Sequence, residues 1–144
     1  MEVVRLETKG AGTVKVSEDS IITMPRGMIG FPSHTRFVLL PHRGDSPFLW
    51  LQSLEDPGLA WVTMNPLLLR ADYKIRVCEA ELDGIGPIRP RQLRVLAVVN
   101  IPAGAPETAT VNLAGPIVIN EEKRLAKQMV LKQGTYSHCQ PLFQ

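Results

Sequence analysis

The sequence predicts an all-β protein, built as a compact antiparallel β-barrel or sandwich with at most one or two short helical turns. Apolar runs are short, and 12 prolines and 11 glycines separate them within 144 residues. Helical periodicity is almost absent, and short strands punctuated by proline and glycine are typical of all-β folds. The length is that of one domain, so residues 1–144 are predicted to form a single unit.

The stretch from Pro47 to Pro66 predicts the central hairpin. Two apolar, aromatic-rich runs, Phe48–Leu51 and Leu59–Met64, flank a turn that contains Pro57 and Gly58. Each run is too short for a good helix and lacks strict polar alternation, which favours strands covered on both faces. Pro57 fixes φ at the first central position, and Gly58 can supply positive φ at the second, which predicts a type II turn.

Trp50 and Trp61, the only tryptophans in the chain, both lie in this hairpin. Large aromatic side chains dominate core energetics, so both are expected to anchor the core. Replacement of Trp50 by alanine would then cost about 3–5 kcal/mol.

The strands before the hairpin are predicted from alternating apolar and polar residues and from the turn residues that separate them. Short strands are predicted at Glu2–Lys9, Thr13–Val16, Ile21–Met24 and Arg36–Leu40. Between the last two, Gly27 and Gly30 lie three residues apart, which indicates special backbone angles or close chain approach.

The elements after the hairpin are less regular. Strands are predicted at Lys74–Leu82, Leu93–Ile101, Glu107–Leu113 and Ile117–Ile119, with a helical turn near Pro90–Leu93 and a chain reversal at Ala114–Pro116. From Asn120 the signals conflict. The two acids that follow Asn120, and the spacing of Leu125 and Met129, suit a helix, whereas Gln128–Lys132 also suits a strand. A tail, Tyr136–Gln144, ends the chain.

Composition bounds the class of protein. The chain is 44% apolar and 21% charged with a net charge of +2, as in ordinary globular proteins, and this charge alone does not indicate nucleic-acid binding. No apolar run approaches the roughly 18 residues of a membrane span, and the N-terminus is not typical of a secretory signal. A cytoplasmic location is therefore expected, with Cys78 and Cys139 reduced, small and apolar.

Catalytic chemistry is not predicted. The three histidines, His34, His42 and His138, lie in predicted loops or in the tail. His138 and Cys139 are adjacent, so an extended chain points them to opposite faces, which is a poor base–nucleophile arrangement. We expect no catalytic residues, no metal site and no cofactor.

Three binding candidates stay open. The acidic pair Glu55 and Asp56 is either a solvated turn or a contact for a basic partner. Arg89, Arg91 and Arg94 are either a solvated loop with one half-buried arginine or an RNA contact. The polar strand Glu107–Asn112 and the tail Lys132–Gln144 offer edges that another chain could extend.

Several blocks together resemble the flagellar assembly factor FliW family. They cover nearly the whole chain: Gly27–Phe31, Pro47–Asp56, Leu59–Val62, Asn65-Pro66, Asp72-Tyr73, Val95–Val99, Thr110–Leu113, Pro116–Asn120 and Gln128–Leu131. The sequence departs from the family at Ile29, where proline is usual. It is also slightly basic, whereas members of this family are often acidic.

The resemblance implies a non-enzymatic, cytoplasmic β-barrel that binds flagellin before export and also binds the translational regulator CsrA. Capture of CsrA by free protein would relieve repression of flagellin mRNA, without direct contact to nucleic acid or membrane. The resemblance also favours a strand at Gln128–Leu131.

Exposure and charge suggest which residues bind these partners. Glu55, Asp56 and the Asp72-Tyr73 turn are predicted to form a patch that faces the regulator, and the edge at Asn112 and Leu113 is a candidate for flagellin. A small RNA-binding β-barrel that uses the three arginines is the alternative function.

Overall fold

The computed structural model describes residues 2–143, so Met1 and the end of the predicted tail at Gln144 lie outside it. Ten strands are described: β1 (Val3–Glu7), β2 (Thr13–Ser17), β3 (Ile22–Thr23), β4 (Arg36–Pro41), β5 (Leu49–Ser53), β6 (Ala60–Met64), β7 (Leu93–Asn100), β8 (Thr110–Asn120), β9 (Leu125–Gln128) and β10 (Gln140–Pro141).

Seven of these strands close into a barrel. Neighbouring strands follow the order β8-β7-β6-β5-β4-β3-β9, and β9 pairs back onto β8. All these pairs are antiparallel except β3 with β9, which meet in parallel at Thr23 and Leu125. The β1–β2 hairpin forms a separate sheet, and β10 adds two residues to β8. The all-β prediction is confirmed.

Helical structure is limited to short 3₁₀ turns, but these turns are more frequent than expected. Five occur in the described chain: Glu18–Ser20, Pro66–Leu68, Glu79–Leu82, Pro90–Gln92 and Pro106–Thr108. Three of them begin with proline. Proline suits the first helical position because an N–H group there would have no acceptor within the helix.

Side chains that meet across the strands fill the barrel. Leu39 pairs with Leu51, and Leu51 pairs with Trp61, so these side chains lie on one face. They pack with the buried residues of the main core: Ile22, Met24, Met28, Phe37, Leu51, Leu96, Ile117, Ile119 and Ala126.

Three smaller clusters cover much of the outer wall. The β1–β2 hairpin lays Leu6 and Val16 against Val38 of β4. The segment after β6 and the C-terminal tail cover β7 and β8 through Tyr73, Tyr136 and Leu142. The segment that contains Val77, Leu82 and Ile85 covers β8 and β9 at Val118 and Met129. These covers explain why the central strands show little polar alternation.

The predicted strand at Lys74–Leu82 is wrong. This segment pairs with no strand in the described chain, and it ends in the 3₁₀ turn Glu79–Leu82. Its alternation is nevertheless real, because Ile75 and Val77 pack inward while Lys74 and Arg76 are exposed. The barrel strands beneath it already pair with neighbours on both sides, so no free strand edge is available to the extended segment.

The predicted reversal at Ala114–Pro116 is also wrong, because β8 continues through it. The side-chain Oδ1 of Asn112 accepts hydrogen bonds from the N–H groups of Ala114 (3.0 Å) and Gly115 (2.9 Å). The pairing register with β7 shifts at this point, as a β-bulge does. The bulge absorbs the irregular residues without ending the strand. At its other end, β8 begins only at Thr110, because the preceding residues form a 3₁₀ turn.

No helix follows Asn120. Its Nδ2 donates hydrogen bonds to the carbonyl oxygens of Ile85 (2.7 Å) and Pro87 (3.2 Å), so the side chain binds the covering segment. A strand, β9, does follow, but it runs from Leu125 to Gln128 and shares only Gln128 with the predicted strand Gln128–Leu131, so the predicted position is wrong.

The glycine predictions have mixed outcomes. Gly27 and Gly30 adopt φ values of +65° and +91°, as expected for special backbone angles. Gly58 does not have positive φ, so the type II turn is wrong. The Asp56 carboxylate accepts a hydrogen bond from the Gly58 N–H (2.9 Å), which stabilises a different turn.

Candidate protein-binding surface

The predicted acidic patch is divided between two places. Glu55 and Asp56 precede β6, whereas Asp72 and Tyr73 follow it. A strand of five residues spans about 16 Å. The two pairs therefore lie at opposite ends of β6 and do not form the single patch predicted from the sequence.

Glu55 is engaged within the fold. Its carboxylate accepts hydrogen bonds from the backbone N–H groups of Thr35 (3.1 Å) and Arg36 (3.0 Å). Burial by itself would raise the pKa of Glu55, but these hydrogen bonds and the Arg36 charge outweigh it, so the pKa is lowered. The side chain fixes the start of β4 against the β5–β6 turn.

The second pair contains one exposed and one buried residue. The exposed Asp72 carboxylate pairs with Arg70 at 2.8 Å, and the hydrogen bond from Arg70 lowers the pKa of Asp72. Tyr73 is only 8% exposed, and its hydroxyl donates a hydrogen bond to the carbonyl oxygen of Leu113 (2.7 Å). Burial raises the pKa of Tyr73 to about 12.

The predicted edge at Asn112 and Leu113 is covered by the chain itself. Leu113 is fully buried, and its N–H donates to the carbonyl oxygen of Ser137 in the tail (3.0 Å). The expected exposure of Leu113 is therefore wrong. Asn112 is half-buried and faces a cleft, although its side-chain oxygen is used by the β-bulge.

The three arginines do not share one environment. Arg89 and Arg91 are exposed around the 3₁₀ turn that precedes β7. Arg94 lies on β7, half-buried, with its Nε 3.9 Å from the carboxylate of Glu121. Its charge is partly compensated within the protein.

The histidines and cysteines are dispersed. His42 packs against Trp50 with the ring centroids 5.0 Å apart, His34 lies near Phe31, and His138 is exposed. Cys78 and Cys139 are free and both exposed, whereas the sequence interpretation treated them as small apolar residues. Within residues 2–143, no three His, Cys, Asp or Glu side chains lie together as a metal site would require. No helix of the described chain is long and apolar enough to cross a membrane.

An apolar cleft at one end of the barrel was not predicted. Ile29 is 58% exposed and Val130 is 75% exposed, although they lie far apart in sequence. With Met28, Trp61 and Val98 they line a cleft of about 390 Å³, which we call the apolar cleft. Its polar lining residues are Asn112, Gln128 and His138.

Gln128 fixes the walls of the apolar cleft. Its Oε1 accepts a hydrogen bond from the Ile29 N–H (3.0 Å), and its Nε2 donates to the Gly115 carbonyl oxygen (3.1 Å). Phe31 packs edge-to-face on Trp61 with the ring centroids 5.2 Å apart. The exposed apolar side chains are thus held on rigid backbone. The sequence analysis noted Ile29 only as a departure from the family pattern, although a large aliphatic residue between two loop glycines could have indicated an exposed apolar site.

A second concave surface adjoins the apolar cleft across Trp61 and Val98. It has a volume of about 750 Å³ and combines cationic, aromatic and aliphatic side chains. We call it the cationic groove, and its main residues are Lys9, His42, Arg43, Trp50, Val62 and Ile101.

A third cleft, of about 400 Å³, lies beside Tyr73. The exposed side chains of Leu67 and Leu93 line it, together with Ile75. Tyr73, which was a predicted binding residue, therefore borders a cleft, although its hydroxyl group is already hydrogen-bonded to Leu113 within the protein.

Comparison with known proteins agrees with this architecture. The family model described as "FliW protein" matches residues 5–142. A crystal structure of the flagellar assembly factor FliW superposes with a TM-score of 0.89 at 29% identity, covering 98% of each chain.

Curated relatives named flagellar assembly factor FliW match over most of their length. The protein from Leptospira interrogans (strain Fiocruz L1-130) is 35% identical over 98% of this chain and 94% of its own. Those from Natranaerobius thermophilus and Geobacter sulfurreducens are 39% and 41% identical, over 92% of this chain and 87% and 82% of theirs. Barrel topology, sequence blocks and relatives agree, and the chain belongs to the FliW family of flagellar assembly factors.

Proposed function

We propose that this protein binds flagellin and the translational regulator CsrA, one at a time, and so couples translation of flagellin mRNA to flagellin export. When flagellin is exported, the freed protein binds CsrA and relieves repression. Family membership supports the choice of partners. The process takes place in the cytoplasm, where flagellin is synthesised and its mRNA is translated.

The observation that carries a binding function is the apolar cleft. Ile29 and Val130 are large aliphatic side chains that water surrounds on most sides, and exposure of this kind marks interaction surfaces when several such residues cluster. Both side chains are already partly buried, so complete burial in a complex would contribute about 1–2 kcal/mol each.

The cleft is also preorganised. The Gln128 side chain accepts a hydrogen bond from the Ile29 loop and donates one to β8, so binding would not have to order these segments. A rigid barrel that presents apolar side chains is suited to capturing a partner rather than to transforming a small molecule.

Calorimetric titration with purified CsrA and purified flagellin tests the proposal. We expect heat of binding with each partner, and strong weakening by the substitutions Ile29→Asp and Val130→Asp. Leu68→Asp is the matched control, because Leu68 is 63% exposed and lies outside the apolar cleft. Absence of binding to both partners would reject the proposal, and equal effects of all three substitutions would reject the assignment to the cleft.

Competition tests the switching step. If the two partners exclude each other, saturation with flagellin should lower the apparent affinity for CsrA in proportion to the flagellin concentration, and the reverse titration should show the same coupling. A stable complex that contains all three proteins would contradict exchange of partners at this protein.

A further inference from the structure

We propose that the cationic groove is a docking site for an acidic peptide segment of a protein partner, one that alternates carboxylates with apolar side chains. This assignment goes beyond the partners proposed above and does not depend on which protein supplies the segment.

The groove is a stretch of barrel wall that the protein leaves uncovered. Trp50 pairs with Val62, and Val62 pairs with Val99, so these side chains form one row across β5, β6 and β7. On one side the β1–β2 hairpin covers β4. On the other side the cluster around Tyr73 contains Val99 and packs against part of Val62. The space between these two covers exposes aromatic and aliphatic surface that a peptide could bury.

The charges at the groove are positive and uncompensated. Lys9 lies near the tip of the β1–β2 hairpin, and Arg43 lies in the loop between β4 and β5. None of the ion pairs found within residues 2–143 involves either of them. No carboxylate of the described chain lines the groove, so its complement is an anionic segment.

Two carboxylates lie close to these cations along the chain. Glu7 accepts a hydrogen bond from the hydroxyl of Thr13 (2.7 Å), and Asp45 lies in the same loop as Arg43. Neither lines the groove, so a bound carboxylate would face the two cations without an acidic neighbour in the lining.

The wall that carries Lys9 is fixed in place. The Lys9 N–H donates a hydrogen bond to Oε1 of Gln52 (2.9 Å), a side chain that is only 1% exposed. The Nε2 of Gln52 donates in turn to the carbonyl oxygens of Pro57 (3.1 Å) and Leu59 (3.3 Å). Gly10 lies so close to the Trp50 ring that a Cβ atom there would collide with it. The groove is therefore preorganised, which lowers the entropic cost of binding.

The lining favours a peptide over single-stranded nucleic acid. Nucleic-acid grooves offer free aromatic faces for stacking bases. Here the His42 ring packs on Trp50 at 5.0 Å with an interplanar angle of 34°, and Gly10 also lies against the indole. The rest of the accessible floor, mainly Val62 and Ile101, is aliphatic and suits apolar side chains.

A titration followed by tryptophan fluorescence tests the proposal. The probe is a short synthetic peptide that alternates glutamate with leucine and phenylalanine, and the reference peptide carries glutamine in place of every glutamate. Because Trp50 lies in the groove, we expect the acidic peptide to change its emission, and we expect high salt to weaken the binding. The glutamine peptide should bind about tenfold more weakly, which lies within the range that loss of two exposed charge pairs predicts.

The double variant Lys9→Gln, Arg43→Gln should weaken the acidic peptide by a similar factor, about tenfold. Its control is Lys15→Gln, Arg91→Gln, which removes two exposed charges outside the groove and should change the affinity by less than about twofold. Circular dichroism should show all variants folded, since the four side chains are exposed.

Three results would overturn the assignment: no binding of the acidic peptide at about 1 mM, equal binding of the glutamine peptide, or equal loss in the control variant. Tighter binding of an oligouridylate than of the peptide would identify a nucleic-acid surface instead. These results are independent of the titrations with CsrA and flagellin, so either proposal can fail without the other.

Discussion

At the scale of single residues, buried or half-buried amide side chains join segments that are distant in sequence. Gln52 ties the β1–β2 hairpin to the β5–β6 turn, and Asn120 ties β8 to the carbonyl oxygens of Ile85 and Pro87. Gln128 joins the Ile29 loop to β8. Gln52 and Asn120 are each only 1% exposed, so removal of either amide would leave buried backbone groups without a hydrogen-bond partner, at a cost of about 1–3 kcal/mol.

The two tryptophans should differ in their contribution to stability. Trp61 packs on the main core, with its ring 5.9 Å from Phe37, whereas Trp50 lies on the outer wall against His42. The expectation from the sequence that Trp50 anchors the core is therefore corrected, because only Trp61 packs against the main core. We expect Trp61→Ala to lower the free energy of unfolding by about 3–5 kcal/mol and Trp50→Ala by about 1–2 kcal/mol. Urea denaturation of both variants measures this, and equal losses would contradict the inward and outward assignment.

Tyr73 should make stability depend on alkaline pH. The folded state raises its pKa to about 12, above the ordinary value of 10.0, so the unfolded chain releases the proton first as pH rises. The stabilisation is fully present below pH 10.0 and is lost as pH rises toward about 12. In Tyr73→Phe this part of the pH dependence should disappear, while the loss of the hydrogen bond to Leu113 costs about 1–3 kcal/mol at neutral pH.

Denaturation midpoints across this pH range, with phenolate absorbance recorded in parallel, provide the measurement. A Tyr73 phenol that ionises near its ordinary pKa in the folded protein would refute the burial argument.

At the scale of elements, segments without strand pairing determine much of the surface. The extended chain at Ile75 and Val77 and the tail at Tyr136 and Leu142 cover the outer wall of the barrel. The loop from Gly27 to Phe31 places Ile29 beside Val130 and Phe31 on Trp61. These segments, rather than the barrel strands, position the exposed apolar side chains.

The Gly27 loop should be sensitive to any side chain at its first position. A Cβ atom at Gly27 would collide with the carbonyl oxygen of Phe31, and φ there is +65°. Gly12 has nearly the same φ, +66°, but open space surrounds it. Substitution of Gly12 therefore measures the backbone strain alone, without a collision. We expect Gly12→Ala to cost about 1–2 kcal/mol and Gly27→Ala at least about 3 kcal/mol.

Urea titrations of the two glycine variants give the comparison. If both substitutions cost the same, backbone strain alone would explain Gly27, and the close approach to Phe31 would have no energetic role.

At the scale of the whole molecule, barrel closure depends on a short seam. The long strands β7 and β8 pair along most of their length, whereas β3 and β9 meet in register only at Thr23 and Leu125. A backbone hydrogen bond from Thr23 N to Arg124 O (2.9 Å) supports the seam. Most strand pairs join consecutive strands of the chain, whereas the seam joins β3 to β9, which are far apart in sequence.

Amide hydrogen exchange should reveal this unequal stability. We expect amides such as Val99 and Val111, in the β7–β8 ladder, to exchange only on global unfolding, and the Thr23 amide to exchange through local opening of the seam. Uniform protection around the barrel would contradict a weak closure.

Local chemistry in the sequence was enough to predict the all-β class, the hairpin around Trp50 and Trp61, the early strands, and the special backbone at Gly27. Alternation, proline and glycine act within a few residues, so these features can be read without knowing the partners. The alternation of Ile75 and Val77 was likewise real, although it did not form a strand.

The tertiary structure alone decided which extended segments pair as strands, which tryptophan faces the interior, and which candidate residues are exposed. It buried Leu113, separated Glu55 from Asp72, and brought Ile29 next to Val130. The physical reason is that a period-two pattern indicates that one face of a segment is buried, but it does not indicate which residues cover that face. Strand pairing and surface clefts depend on residues far apart in the chain.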